Sequence, residues 1–544
     1  MSAHRVDRII VGEVLVAASP GGVETAEAVA IADGRVVAIG TRTELLEMAA
    51  GRESVVDATG QAVVPGIHDF HLHLVGMARA RRAVLLDDVE RFDELLARVR
   101  GAAAGIPADG STWLTGRGWH EPVLDATALA RLEEAVAGRP VALTSHDGHS
   151  MWASALARRA AGIDEVAPDP PGGRLERDER GVPNGILREA AMAAVVAVKQ
   201  RLHGPALVGP MRETLAELAA LGVTGATDAG DADAHGGVGA HAALGDSFST
   251  LAELRGEIAD RVRLTVNLPV AALEPALAGG LRTGAPLDGG PLRIGWVKVY
   301  SDGALGSRTA ALFAPHTCGD TPDAGILRHE PAELSAIVER ARAGGLRLAI
   351  HAIGDRAVAT ALDALADGAH EDAPMDRIEH VQLIRPADRP RFAASSIVAS
   401  LQPIHAAADR DAVEACWSDR RDDAYAWRSL ADVGASLAFG SDAPIETHNP
   451  WHGLHAAVRR HAPGDGRDPW QPAEAIGAAE ALAAYTRGPA RALRRADEGH
   501  LRPGAVADLA ILDLGLDRLL AADESAACAR SQLTLLAGRE VPLA

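Results

Sequence analysis

The chain has 544 residues and a formal net charge of −20 at pH 7. A nucleic acid or an anionic membrane is disfavoured as a partner, because a phosphate surface requires a concentrated basic patch. The three cysteines, Cys318, Cys416 and Cys528, are odd in number and far apart, which argues against a disulfide framework and a cysteine-based zinc site and predicts buried cysteines.

The N-terminal stretch "MSAHRVDRIIVGEVLV" has an acidic residue ahead of a short, interrupted apolar run. It lacks both the continuous apolar core of a signal peptide and the length of a membrane helix. A soluble, cytoplasmic protein is therefore expected.

Both ends of the chain are predicted to be β structure. "RIIVGEVLV" is followed by "AVAIADGRVVAIG", where Asp33 and Gly34 between two apolar runs predict a hairpin. The C-terminal segments "AVADLAILDL" and "LTLLAGREVPLA" have the same character, and the second turns at a glycine. Because neither group of strands could bury a face alone, residues 1–63 and 486–544 are predicted to form one small composite β-sandwich.

Between the two ends, short apolar runs alternate with amphipathic stretches such as "ELLARVRGAA", "TLAELAALGVTGATDAG" and "SLADVGASLAFGSDAP". This alternation is typical of βα units on a parallel sheet. Residues 64–485 are therefore predicted to form an α/β fold, an eight-stranded (βα)8 TIM barrel. Proline and glycine clusters between about 100 and 200 break the rhythm and predict an insertion after the first barrel strand.

Candidate metal ligands close several of the apolar runs in the barrel region. In chain order they are His71 and His73 in "PGIHDFHLHL", Lys298 in "WVKVYSDG", His351 in "LRLAIHAIGD", His380 in "DRIEHVQLI" and Asp442 in "SLAFGSDAPIE". Reactive groups of such barrels come from the C-terminal ends of the strands. Imidazole and carboxylate are good ligands for Zn²⁺ or a similar divalent ion, and the side chains of a His-x-His pair on a strand point to one face.

Each of these residues also has a purely structural interpretation. A single histidine at a strand end can be a hydrogen-bonded core residue, Lys298 can be ion-paired, and Asp442 can cap a helix or form a turn. Their successive occurrence at separate strand ends favours a shared site. His68 has an odd offset from His71, which places it on the opposite strand face as a non-ligand.

The motifs "GWVKVYSDGALGSRTAAL", "HAIGDRAV", "RIEHVQLI", "SLQPIHA" and "GSDAPIETHNPWHGLHAAVRR" resemble the amidohydrolase superfamily of metal-dependent hydrolases. They are similar in particular to the amidohydrolase-3 branch, which contains YtcJ-like proteins and N-substituted formamide deformylase. The resemblance runs from "VVPGIHDFHLHL" to "GHLRPGAVADLAIL", nearly the whole chain. It also implies the composite β-sandwich.

The resemblance implies that His71, His73 and Asp442 bind one metal ion and that His351 and His380 bind a second. Lys298 would bridge the two ions as an N-carboxylated lysine, because an unmodified ammonium has no lone pair and repels cations. One or two divalent ions per chain are expected, with Zn²⁺ as the first choice. A mononuclear centre remains open.

The implied reaction is hydrolysis of the C–N bond of an amide or N-substituted formamide by metal-activated hydroxide, with Asp442 as the general acid and base. An alternative is the same centre acting on a cyclic amide, a carbamate or an ester, since fold and metal ligands do not determine the substrate. A non-catalytic binding barrel is a further alternative. A small-molecule substrate is expected, and the resemblance is compatible with a homodimer.

Several other residues are candidates for substrate contact. His405 closes "IVASLQPIH", and Asp302, Ser307 and Asp355 lie in loops that follow predicted strands, where turn formation is the alternative explanation. The segments "GRGWHEP" and "TSHDGHSMWAS" are similar to family segments that cover the pocket, which suggests Trp119, His120 and His149 as pocket residues.

Overall fold

A computed structural model describes residues 6–49, 54–120, 126–199, 204–230, 237–319, 321–366, 368 and 373–543. The N-terminal segment forms β1 (Arg8–Ser19), β2 (Gly22–Ala32), β3 (Arg35–Gly40), α1 (Arg42–Leu46) and β4 (Val55–Pro65). β2 and β3 pair antiparallel across Asp33 and Gly34, whose φ angles are 49° and 73°. The hairpin predicted there is confirmed, because a two-residue turn needs positive φ at both positions.

The first barrel strand is followed by an insertion with its own sheet. β5 (Ile67–Leu72) and α2 (Leu74–Ala80) precede β6 (Val84–Leu85), α3 (Phe92–Ala104), β7 (Leu114–Trp119), α4 (Ala126–Ala135), β8 (Val141–Ser145), β9 (Ser150–Ala153), α5 (Ala155–Ala160), β10 (Gly173–Arg177), β11 (Pro183–Glu189) and α6 (Ala193–Val198). Six strands form a sheet in the order β10-β11-β9-β8-β7-β6. This sheet starts at Val84, ahead of the predicted position near residue 100.

The stretch "ELLARVRGAA", expected to belong to the barrel repeat, lies in this insertion as part of α3. Its Leu95, Leu96 and Val99 are buried in the hydrophobic core that includes Leu143 and Trp152 of the insertion sheet. An amphipathic helix of this kind packs equally well on the barrel sheet or on the mixed insertion sheet, so its periodicity alone does not indicate which one.

The remaining barrel elements alternate helix and strand. They are α7 (Pro205–Ala220), β12 (Val223–Asp228), α8 (Asp246–Glu253), α9 (Arg255–Ile258), β13 (Arg263–Pro269), α10 (Leu273–Ala278), β14 (Arg293–Tyr300), α11 (Pro331–Ala343), β15 (Leu348–Ala352), α12 (Asp355–Leu365), β16 (Arg377–His380), α13 (Arg389–Ala394), β17 (Val398–Leu401), α14 (Pro403–Ala408), α15 (Arg410–Cys416), α16 (Trp427–Asp432), β18 (Ser436–Phe439) and α17 (Pro450–Arg459). Eight parallel strands form one sheet in the order β18-β17-β16-β15-β14-β13-β12-β5. The predicted (βα)8 TIM barrel is confirmed.

The two edge strands of the barrel sheet meet at the residues that the sequence marks as ligands. The backbone N–H of Asp442, just beyond β18, donates to the carbonyl of His71 on β5 at 2.7 Å. The N–H of Ser441 donates to the Asp69 carboxylate at 3.0 Å. Barrel closure therefore brings the first and last predicted ligands together.

The C-terminal segment completes the sheet that the N-terminal strands begin. It consists of α18 (Ala478–Tyr485), α19 (Arg487–Ala492), β19 (Leu509–Leu512), α20 (Leu516–Ala521), α21 (Glu524–Ala527), β20 (Ser531–Leu536) and β21 (Arg539–Glu540). Seven strands from both ends pair in the order β21-β20-β19-β4-β1-β2-β3. The two ends therefore share one sheet, because each contributes strands that pair with the other. The predicted boundaries at residues 63 and 486 stay predictions.

The expectation of three buried cysteines is wrong. Cys318 and Cys416 form a disulfide across 98 positions of sequence, and Cys528 is exposed. The disulfide joins the loop after β14 to the end of α15, where the N–H of Thr317 also donates to the Cys416 carbonyl at 2.9 Å. Disulfides persist mainly in oxidising compartments, so this pair does not favour a cytoplasmic location. No helix in the described ranges combines the length and apolar character needed to cross a membrane.

Candidate metal centre

His71 and His73 lie at the C-terminal end of β5 and share one acceptor. The Nε2 atoms of both rings are 3.3 Å from Oδ1 of Asp442. His71 is buried, and His73 is half-buried at the first turn of α2. Burial lowers the pKa of His73, but the hydrogen bond and the charge of Asp442 outweigh it and leave the pKa raised.

Three neighbouring strands bring Lys298, His351 and His380 to the same end of the barrel. The ring centroid of His380 lies 4.9 Å from that of His71 and 4.6 Å from that of His351. Burial holds the pKa values of His351 and His380 well below their ordinary range. Both rings are therefore neutral and have a lone pair to offer a cation.

Lys298 is buried, and its amine has no hydrogen-bond partner among the described residues. Its Nζ lies 4.8 Å from the ring centroid of Tyr300. Burial lowers the pKa of Lys298 to about 8, although the charges of Glu379 and Asp442 oppose this shift. Burying an unpaired amine costs free energy. Lys298 is therefore a candidate for chemical modification or for pairing with a charged group.

Asp442 connects two groups of imidazoles. Its Oδ2 lies 3.2 Å from Nε2 of His405 and 3.8 Å from Nδ1 of His380, while Oδ1 faces His71 and His73. Two sets with metal-ligand spacing share this carboxylate: His71, His73 and Asp442, and His380, His405 and Asp442. The structure thus brings His405 into direct contact with Asp442. A role in substrate contact alone did not predict this proximity.

The backbone is strained at the predicted ligands. His380, Val381 and Asp442 have φ angles of 73°, 46° and 58°. The left-handed region is unfavourable for a β-branched residue such as valine and uncommon for the other two. Such conformations persist where the surrounding structure holds a functional side chain in place.

A buried ion pair that the sequence analysis missed orients His71. Nδ1 of His71 donates to Oε2 of Glu379 at 2.6 Å, which leaves Nε2 with its lone pair toward Asp442. Oε1 of Glu379 lies 2.6 Å from Nε of Arg377, and the Arg377 guanidinium packs on the rings of Phe70 and Trp296 at 4.2 and 4.5 Å. Burial raises the pKa of Glu379, but Arg377 and His71 outweigh it and keep the carboxylate ionised. The "RIEH" motif places Arg377 and Glu379 on one strand face, since alternate residues of a strand share a face, but it does not indicate that His71 is their partner.

The other ring nitrogens are also engaged. Nε2 of His351 lies 3.1 Å from the carbonyl of Gly303, and Nδ1 of His380 lies 2.9 Å from Oε1 of Gln402. Fixing one nitrogen of a histidine selects the tautomer and leaves the other nitrogen for a ligand. Nδ1 of His351 and Nε2 of His380 are the atoms left for a metal ion.

Asp302 lies beside His351, with Oδ1 3.4 Å from Nε2 of that ring, and its predicted role in substrate contact stays a prediction. Its carboxylate is buried and accepts the N–H groups of Ile353 at 3.0 Å, Gly354 at 2.8 Å and Ala311 at 2.9 Å. These contacts join three loop segments beside His351. Ser307 and Asp355 play similar local roles, with Ser307 Oγ 2.7 Å from Thr309 Oγ1 and Asp355 accepting the N–H of Phe313 at 3.1 Å.

Of the three predicted pocket residues in the insertion, the structure brings only His149 to the pocket. Trp119 is buried in the insertion core and donates to the Leu143 carbonyl at 2.8 Å. His120 is exposed and stacks on His146, with 4.6 Å between the ring centroids. Trp119 and His120 are consecutive at the end of β7, where successive side chains alternate between the core and the surface. One therefore lies in the core and the other at the surface. Residues 121–122 of the "GRGWHEP" segment lie outside the described ranges.

The pocket beside the centre is formed by the insertion and the barrel loops together. His146, Asp147 and His149 of the β8–β9 turn face Leu305, Ile353 and Ile445, and the remaining lining residues are Ala304, Gly306, His351, His380, Gln382, His405, Asp409, Asp442 and Glu446. His149 lies 3.0 Å from the Glu189 carboxylate. Burial opposes the protonation of His149, but Glu189 outweighs it and raises the pKa to about 9.

His146 is a pocket residue that the sequence analysis missed. Its Nδ1 lies 3.3 Å from Asp87 and its Nε2 lies 3.1 Å from Glu446. Burial acts to lower the pKa of His146, but the two carboxylates outweigh it and raise the pKa to about 10. His68, by contrast, is hydrogen-bonded to Thr227 at 3.0 Å and its ring lies 5.8 Å from that of Phe70; its assignment as a non-ligand stays a prediction.

Three known proteins share most of their length with this chain. "Protein LONG AFTER FAR-RED 3" of Arabidopsis thaliana is 32% identical over 90% of this chain and 84% of its own length. "Putative amidohydrolase YtcJ" of Bacillus subtilis is 29% identical over 89% and 90%. "N-substituted formamide deformylase" of Arthrobacter pascens is 28% identical over 90% and 90%.

A solved structure agrees in fold. An uncharacterized metal-dependent hydrolase from Pyrococcus furiosus has 27% identity and a TM-score of 0.69, covering 93% of this chain and 98% of its own. The model of the amidohydrolase family, of the amidohydrolase-3 type, matches residues 54–542. The resemblance stated from the motifs is thereby confirmed: the chain belongs to the amidohydrolase family and is a metal-dependent hydrolase of the amidohydrolase superfamily.

Proposed function

We propose that this protein hydrolyses the C–N bond of an amide or an N-substituted formamide, releasing a carboxylic acid and an amine. The observation that carries the proposal is the position of Asp442. Its carboxylate contacts His71 and His73 through one oxygen and His405 through the other, and it lines the pocket. The formamide substrate class is supported by the 28% identical deformylase of Arthrobacter pascens.

The residues present fit a divalent metal centre. Neutral imidazoles and an ionised carboxylate are ligands for Zn²⁺ and related ions. The Lys298 amine, which has no hydrogen-bond partner among the described residues, would provide a further ligand position. His71, His73 and Asp442 would hold one ion, and His351 and His380 a second. Bound ions would supply an acidified water and a Lewis acid for the substrate carbonyl.

Lys298 would complete the centre as a carbamate. The neutral amine adds CO₂ and releases one proton, which converts a potential cation into a carboxylate-like anion. As an ammonium, the same side chain would repel cations bound by His71 and His351. The absence of a hydrogen-bond partner for Nζ among the described residues leaves this amine available for the reaction.

Asp442 would move the proton during the reaction. It accepts one proton from the attacking water, and it delivers that proton to the nitrogen of the leaving amine as the C–N bond breaks. One water is consumed, and no other reactant is needed. His405, 3.2 Å from Oδ2, holds the carboxylate toward the pocket while the proton is in transit.

The pocket walls support a substrate with an apolar part and a polar carbonyl. Leu305, Ile353 and Ile445 provide apolar contact for an acyl or N-substituent. His149, held by Glu189, would donate to the substrate carbonyl oxygen, where negative charge develops. The pocket is formed only when the insertion is folded against the barrel.

The test is a substrate panel with the metal-loaded protein. N-substituted formamides and N-acyl amines are offered beside lactams, carbamates and esters, and both the amine and the acid are quantified. Release of amine and acid in equal amounts is expected from at least one formamide or amide. Asp442→Asn should lower kcat/KM by ~100-fold or more, whereas the matched strand variant His68→Gln should change it little.

Hydrolysis of a lactam, carbamate or ester with no formamide or amide turnover would overturn the proposed substrate class while keeping the hydrolase. Equal activity of Asp442→Asn and the unchanged protein would remove Asp442 from the mechanism. The homodimer and the cytoplasmic location expected from the sequence stay predictions, which light scattering and cell fractionation test.

A further inference from the structure

A third cluster with metal-ligand spacing lies outside the barrel pocket. His455, His461 and Glu524 each offer one ligand atom, and these atoms lie within 4.8 Å of one another. His455 is on α17, His461 follows that helix, and Glu524 begins α21. None of the three residues takes part in the centre described above.

The local chain path brings the two histidines together. α17 ends at Arg459, and Arg460 adopts the left-handed conformation with φ of 61°. This turn folds the chain back, so that the rings of His455 and His461 lie 4.9 Å apart between centroids. A left-handed residue at a helix end commonly reverses the chain in this way.

The distances suit a metal ion better than a hydrogen bond. Nε2 of His455 lies 3.4 Å from Nδ1 of His461, which is long for a hydrogen bond between nitrogens. Two nitrogens bound to Zn²⁺ at ~2.0–2.1 Å with tetrahedral angles are about 3.3–3.4 Å apart. Oε1 of Glu524 lies 3.9 Å from the same Nε2 and would need only a small shift.

His455 is almost completely buried, with 2% of its side chain exposed. Its Nδ1 is buried without a hydrogen bond to any described residue. The backbone of Asp523 acts to raise the pKa of the ring, but the two groups do not form a hydrogen bond of normal geometry. Burial lowers the pKa of His455. Nε2, the nitrogen that faces His461 and Glu524, offers a lone pair when the ring proton is on Nδ1.

Glu524 is held in position by the loop that carries His461. Both oxygens accept the N–H of Gly464 at 3.0 Å, which fixes the carboxylate relative to the two rings. Its side chain is 61% exposed, so water can reach the cluster and supply a fourth ligand. An oriented ligand with an entry path is what a metal site requires.

One contact competes with a metal ion. Nδ1 of His461 also lies 2.9 Å from the carbonyl of Ala462, a hydrogen bond that needs a proton on Nδ1. Binding through Nδ1 requires the other tautomer, with the proton on Nε2. The two tautomers of neutral imidazole interconvert readily in water, and the half-buried His461 is accessible to it.

We propose that His455, His461 and Glu524 form a peripheral site for a divalent transition-metal ion, with Zn²⁺ as the reference ion. Two imidazoles and one carboxylate favour Zn²⁺, Ni²⁺ or Cu²⁺ over Mg²⁺ or Ca²⁺. The ion would join α17 of the barrel to α21, which leads into the terminal sheet. It would act as a structural link independent of the catalytic centre.

The experiment counts ions in the full-length, metal-loaded protein after dialysis against a defined concentration of ZnCl₂. We compare the unchanged protein with Glu524→Gln and with His455→Gln. Glu524→Gln is the safer variant because its side chain is exposed. Glu339→Gln, an exposed carboxylate on α11, is the matched control.

The unchanged protein and Glu339→Gln should hold one ion more than either site variant. In direct titrations, loss of a ligand should weaken the binding of this ion by at least ~10-fold. His71→Ala should lose ions from the barrel but keep this one, so failure of the proposed catalytic centre and failure of this site are distinguishable. Equal ion counts and affinities in the unchanged protein, Glu524→Gln and His455→Gln would overturn the proposal.

Discussion

Glu379 lies 2.6 Å from Nδ1 of His71, although 308 positions of sequence separate them. Oε1 of the same carboxylate pairs with Arg377 at 2.6 Å, and all three side chains are buried. The pair determines the His71 tautomer, because the nitrogen that donates to Glu379 cannot also bind a cation. The orientation of the first predicted ligand therefore depends on a strand on the far side of the barrel.

Glu379→Gln should weaken metal binding by about 10–100-fold, because His71 loses the charged acceptor that orients it. It should also lower the free energy of unfolding by ~3–5 kcal/mol, since Arg377 is left buried without its counter-charge. Metal titration and chemical denaturation measure the two effects. His68→Gln, on the strand that carries His71, should leave metal affinity unchanged, because the His68 ring is bonded to Thr227; equal losses in both variants would contradict this role of Glu379.

Lys298 should carry one added CO₂ when both ions are bound. Mass analysis of the intact protein under mild conditions should detect this addition and two divalent ions per chain. Lys298→Met should abolish the added mass and lower the metal content, because no anion then bridges the two histidine groups. One ion without the added mass would support a mononuclear centre and return Lys298 to a supporting role.

The disulfide between Cys318 and Cys416 should contribute measurably to stability. Closing a loop of about 100 residues restricts the unfolded chain, and its loss should cost ~2–5 kcal/mol. Cys318→Ser should lower Tm, and a reductant should have the same effect on the unchanged protein. Cys528→Ser is the control, because Cys528 is exposed and unpaired in the structure. Alkylation of three thiols in the native, unreduced protein would show that the disulfide does not form.

His146 should make stability depend on pH above neutrality. Its folded-state pKa of about 10 lies above the ordinary value of 6.5, so its contribution is complete below about pH 6.5 and is lost as the pH rises through about 10. Because the ring is 24% exposed, we expect a loss of only ~1–2 kcal/mol between pH 7 and 10. His146→Gln should flatten this part of the stability profile in denaturant titrations; an unchanged slope would exclude the ion pairs with Asp87 and Glu446 as its source.

Local patterns were sufficient to predict the architecture. Helical and strand periodicities depend on neighbouring residues, so alternating βα units, the Asp33-Gly34 hairpin and the β character of both ends could be predicted without knowledge of contacts. The strand ends carrying His71, His351, His380 and Asp442 could also be placed together, because parallel barrel strands share one C-terminal edge.

Contacts between distant segments were decided only by the tertiary structure. The sequence does not indicate that Cys318 pairs with Cys416, that Glu379 orients His71 or that His146 lies between Asp87 and Glu446. Asp302 illustrates the reason: its loop position is compatible with a substrate contact, but its carboxylate accepts the N–H groups of Ile353 and Gly354 from the next barrel loop and that of Ala311 from its own loop. By itself the sequence determined the family, the barrel and the order of the predicted ligands. Which ring nitrogens face the centre, and which carboxylates line the pocket, depended on packing between elements that are far apart in the chain.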